Sequence, residues 1–83
     1  MILNRIRADE FTFELEHARK KFPPMASAHE GYAVILEELD ELWDIIKQKQ
    51  TERDYIKLRK ETVQLGAMVL AFLIEICDAE NKR

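Results

Sequence analysis

The sequence predicts an all-α fold, a protomer of three helices that forms a four-helix-bundle core through oligomerisation. Three observations carry this. Only two Gly and two Pro interrupt the 83 residues, and apolar residues recur at helical spacing in stretches separated by Pro23-Pro24 and by the polar Gln48 to Thr51. In addition, 47% of the residues are hydrophobic, so a chain this short is expected to keep apolar surface for a partner subunit. Residues 1–83 read as a single helical domain.

Taken in order, Met1 to Ala8 reads as a lead-in whose Ile2, Leu3 and Ile6 dock on the body. Helix 1 is expected over 8–22, capped by Asp9, with Phe11, Leu15, Ala18 and Phe22 along one face. Pro23-Pro24 ends it, because proline lacks an amide donor and pushes the residue before it out of the α region. Ser27-Ala28-His29-Glu30 matches a capping box and starts helix 2, expected over 27–49. Gly31 inside that helix points to close approach by a neighbour. Thr51-x-x-Asp54 is a second capping signal and opens helix 3, expected over 52–79, where Gly66-Ala67 offers a small patch for tight packing. Glu80 to Arg83 reads as a frayed tail.

Helix 2 carries two apolar stripes. At 100° per residue Ile35, Leu39, Leu42 and Ile46 share one side, widened by Tyr32, Leu36 and Trp43, and this stripe reads as ordinary core. Val34, Glu38, Glu41 and Ile45 share the other. Two carboxylates at i, i+3 therefore sit between apolar residues, where they repel each other unless a proton or a cation intervenes. Glu37, Asp40 and Asp44 fall on a solvated side. On helix 3 Glu61 shares its phase with Gln64, Leu65, Met68 and Phe72, so a third acid is aimed inward. A hard divalent cation such as Mg²⁺, which takes oxygen ligands and keeps several waters, would relieve all three.

Composition narrows the partners. A net charge of −3 and a pI near 5.4 leave no dominant basic face, so nucleic acid is not expected as a partner. The single cysteine, Cys77, excludes an internal disulfide and a Cys-rich zinc site. With no secretory leader the expected location is cytoplasmic, and the apolar run Val63 to Cys77 is too short to span a bilayer, so no membrane association is expected. A di-iron bundle needs Glu-x-x-His on two helices, and only Glu14-x-x-His17 has that spacing.

Glu37-Glu38-Leu39-Asp40-Glu41, followed after a gap by Glu61-Thr62-Val63-Gln64, resembles the EExxE and ExxD motifs of the MazG-like all-α nucleoside triphosphate pyrophosphohydrolases. The flanking His29-Glu30-Gly31-Tyr32-Ala33 and Gln64-Leu65-Gly66-Ala67-Met68 are similar to a small phage and bacterial branch of that superfamily. The resemblance implies Mg²⁺-dependent hydrolysis of a nucleoside triphosphate to the monophosphate and pyrophosphate, with Mn²⁺ as a substitute metal; the surplus apolar faces of the helices separately lead us to expect a homodimer or homotetramer. It places the metal on Glu38, Glu41 and Glu61, with Glu37 positioned to activate water. Gln64 stands where the family has Asp, and its carbonyl can reach a cation without supplying charge. This departure raises the alternative of a catalytically silent module that binds nucleotides or proteins. Lys57, on the Glu61 face, with Lys60 and Arg53 beside it, is a candidate for holding phosphates, and Trp43 for stacking on the base.

Overall fold

The computed structural model describes residues 1–79 and is all-helical over that range. Helix α1 spans Ile2–Arg19, α2 spans Ala28–Ile46 and α3 spans Tyr55–Phe72, with a 3₁₀ turn at Gln50–Glu52. The chain then continues as a π-helical segment over Leu73–Asp78. Because α1 and α2 both pack along α3, the third helix is the centre of the protomer. The expected tail at 80–83 lies outside the described residues.

Each helix differs at its ends from the expectation. Helix α1 begins at Ile2, and Asp9 is an interior residue rather than the cap. Nothing between Ile2 and Ala8 breaks a helix, and an Arg7 to Glu10 ion pair of 2.9 Å ties the first turns together. Ile2, Leu3 and Ile6 consequently ride on a projecting rod and stay exposed instead of docking on the body. The other end stops at Arg19, and Phe22, next to proline, leaves the helical face assigned to it.

Helix α2 starts as expected, with the Ser27 hydroxyl accepting the Glu30 N–H at 3.1 Å. It ends early, at Ile46, whose carbonyl accepts two N–H groups of Arg53 at 2.7 and 3.1 Å. The α3 cap is Asp54 rather than Thr51. Its carboxylate accepts the N–H groups of Ile56 and Lys57 at 3.1 Å each, and a charged acceptor suits the positive helix start.

The core is small. Leu15, Met25, Ala67 and Ala71 are buried together, with Val34, Met68, Leu70, Phe72 and Ile76 packed around them. Gly31 lies so near α3 that an added Cβ would meet the Phe72 ring at 2.7 Å and the Met25 sulfur at 2.9 Å, the close approach its presence suggested. Gly66 is likewise covered by the Phe11 ring. Most of the broad stripe of α2 read as ordinary core lies outside the protomer, since Tyr32, Leu36, Leu39, Trp43 and Ile46 are exposed while Ile35 and Leu42 are half-buried. Among the described residues no fourth α-helix covers it. Helix α2 instead turns Val34, Glu38 and Ile45 inward.

A candidate metal centre beside an acidic cleft

Glu38 and Glu41 come from adjacent turns of α2 and Glu61 from α3, where the two helices pack together. One carboxylate oxygen from each lies within 4.8 Å of the other two. The helical phases anticipated this grouping, but Glu41 is exposed and not inward, because it lies at the rim where α2 meets α3. Oε2 of Glu38 and Oε2 of Glu61 are buried without any hydrogen-bond partner. Such orphaned acceptors are costly, on the order of 1–3 kcal/mol or more for charged groups, so a proton or a cation must answer them.

The electrostatics follow from this crowding. Burial, then the charges of Glu41 and Glu61, pushes the Glu38 carboxyl up to about 7. Burial and the neighbouring Glu41 raise Glu61 as well, while Lys60 and Lys57 are near enough to pull it partly back. A carboxyl whose proton is held up to about 7 by burial and like charge, as at Glu38, is suited to exchange that proton for a divalent ion. Three carboxylate oxygens match the hard-donor set that Mg²⁺ and Mn²⁺ accept, with room left for water or substrate oxygens.

Glu38 also borders a cleft of about 440 Å³ between the end of α1, the proline turn, α2 and α3. Glu37 and Gln64 line the same cleft. The remaining assignments divide. Lys57 and Lys60 are exposed on the Glu61 side. Arg53 is engaged at the end of α2, and Trp43, 57% exposed, belongs to the outer stripe of that helix together with Leu39 and Ile46. Neither Arg53 nor Trp43 lines the cleft.

Most of the cleft lining escaped the sequence reading of the site, Glu14, Phe22 and Met25 among it. Glu14 reaches it from α1, and Phe22 and Met25 from the proline turn. Glu14 was visible only as half of a lone Glu-x-x-His, and nothing local could show which residues α1 brings to the other helices. Arg19 and Glu75 form a bidentate pair at 2.6 and 2.7 Å, and Glu75 also accepts the Met25 N–H at 3.0 Å. This pair holds the proline turn against the π-helical segment and keeps Glu75 well below the usual carboxylate range, chiefly through the Arg19 hydrogen bonds. Compared with protein-family models, with curated proteins and with solved structures, the chain matches none of them.

Proposed function

We propose that this protein is a Mg²⁺-dependent nucleoside triphosphate pyrophosphohydrolase that converts a (d)NTP to the (d)NMP and pyrophosphate. The observation that carries the reading is the pair of buried, unpartnered oxygens of Glu38 and Glu61 converging with Glu41 across two helices. The motif resemblance adds the reaction class. Glu38, Glu41 and Glu61 would hold the metal, which, when bound, neutralises phosphate charge and favours ionisation of water. Glu37, exposed at the cleft wall, would accept a proton from the attacking water. Lys57 and Lys60 would hold the leaving phosphates from the Glu61 side, and Gln64 would orient the substrate by its amide.

The same reading makes the enzyme a cytoplasmic homodimer or homotetramer. Among the described residues no helix is long and apolar enough to cross a membrane. The exposed residues Tyr32, Leu36, Leu39, Trp43 and Ile46 recur at alternating steps of four and three, the spacing of a helix-pairing seam. The test of function is pyrophosphate release from a panel of dNTPs with Mg²⁺ or Mn²⁺. Gln64, neutral where the motif has Asp, favours the second reading of a catalytically silent nucleotide-binding or protein-binding module. No turnover on any triphosphate would establish that alternative over the hydrolase.

A further inference from the structure

The outer face of α2 is shaped as well as apolar. Leu39, Leu42, Trp43 and Ile46, spaced i, i+3, i+4 and i+7, form the four sides of a hole of the kind that receives a side chain from a facing helix. A groove of about 330 Å³ lies among them, with exposed Asp40 at its rim. One heptad earlier, Tyr32, Ile35, Leu36 and Leu39 repeat the same spacing. The two holes share Leu39, so the face presents the same outline from either end. A two-fold contact needs a self-complementary patch of this kind.

We infer that the occupant of this face is α2 of a second copy of the chain, running antiparallel, with the two-fold axis beside Leu39. The inference rests on the homo-oligomer proposed above and goes beyond it in fixing the face, direction and register of the contact. About that axis Leu39 meets its own counterpart and Tyr32 meets the partner's Ile46. Leu36 of each copy enters the groove of the other, and Trp43 enters the hole beside it. Each aromatic side chain then packs against a branched aliphatic one, whereas a parallel pair sets Trp43 against Trp43 and Tyr32 against Tyr32 and loses that interdigitation. Direction has a second support inside the protomer. Gly31 lies against Phe72 and Glu41 beside Glu61, so α2 and α3 run antiparallel. An antiparallel second α2 continues the alternation of helix dipoles across the bundle. The five exposed side chains of the stripe offer roughly 500 Å² per copy, so the pair covers on the order of 1,000 Å², the lower bound of a specific interface. Asp40 comes nearest its own counterpart at an exposed edge, where water and salt screen the repulsion. Glu38 and Glu41 stand about 100° and 160° round the helix from Leu39, so the contact leaves the metal centre uncovered.

The experiment is oxidative cross-linking of single-cysteine variants in a Cys77→Ser background, with sedimentation equilibrium of the wild type alongside. Leu39→Cys should oxidise to a covalent dimer, because the axis brings its two thiols together. Tyr32→Cys and Ile46→Cys should each fail to link when oxidised alone and should link to one another when mixed. Like positions stand about 21 Å apart along antiparallel helices, far beyond the reach of a disulfide, while the unlike ones are neighbours. A parallel seam reverses this pattern, so Tyr32→Cys and Ile46→Cys each linking to itself would overturn the inference and keep the homo-oligomer. An associated wild type in which none of these cysteines links would put the interface on another face and overturn it as well. A monomeric wild type would remove both the seam and the homo-oligomer, and pyrophosphate release would still decide the hydrolase on its own.

Discussion

Glu38 joins the charge of the centre to the chemistry of the cleft, and two predictions belong to it. Glu38→Gln, or Glu61→Gln at the facing position, should lower hydrolysis at least about 100-fold by removing a metal ligand's charge at nearly constant shape. Circular dichroism should report the same helix content, and turnover at the wild-type rate in either variant would detach the carboxylates from the reaction. The second prediction concerns pH. Because the folded protein keeps a proton on Glu38 up to about 7 while the unfolded chain loses it near 4.5, the metal-free fold binds more protons over that interval. Its stability must therefore fall as pH rises from 4.5 to about 7 and level off above. At pH 8 without metal, Glu38→Gln should melt above the wild type by on the order of 1 kcal/mol, or roughly 4–8 °C. Mg²⁺ affinity should run the opposite way, strengthening up to about pH 7 as the ligand deprotonates.

At the scale of elements, α2 is placed against α3 by a missing side chain and the proline turn is placed by an ion pair. Gly31→Ala would gain about 1 kcal/mol of helix propensity but drive a methyl group into Phe72 and Met25. Overpacking of that kind costs about 1–3 kcal/mol, so the net expectation is a loss of roughly 1 kcal/mol in urea unfolding. A midpoint at or above that of the wild type would mean that the Phe72 ring swings clear. Arg19→Ala should cost about 2–3 kcal/mol, because it leaves a largely buried Glu75 carboxylate with only the Met25 N–H. Since Arg19 depresses the Glu75 pKa, the stability it confers is present above the ordinary carboxylate value and disappears as pH falls through the lowered one. The difference between wild type and Arg19→Ala should therefore shrink in acid, which paired melts at neutral and acid pH would measure.

The whole molecule is extended for its size. Its radius of gyration is 14.1 Å, where a compact chain of this length would have about 11.8 Å, and its longest dimension is 50 Å. Among the described residues no large side chain is fully buried. A fold that leaves Tyr32, Leu36, Leu39, Trp43 and Ile46 in water gains by covering them, and a second copy presenting the same stripe would complete the bundle. Leu39→Glu combined with Trp43→Glu should give a monomer by sedimentation equilibrium, against a dimer or tetramer for the wild type. If the wild type sediments as a monomer, the two-fold bundle is wrong.

Helix periodicity, the Ser27 cap and the shared phase of Glu38 and Glu41 on α2 were legible in the residues, because each depends on spacing along a single helix. The tight approach at Gly31 was legible for a similar reason, since glycine inside a helix asks for a neighbour. Which of the two stripes on α2 faces α3 was not, because both are apolar enough and only the number of helices available decides. The tertiary structure alone turned the carboxylate stripe inward, brought Glu14 and Phe22 to the same cleft, and engaged Arg19 with Glu75 across 56 positions of chain. Contacts between helices depend on how three rods are arranged in space, and a pattern local to each rod does not contain that arrangement.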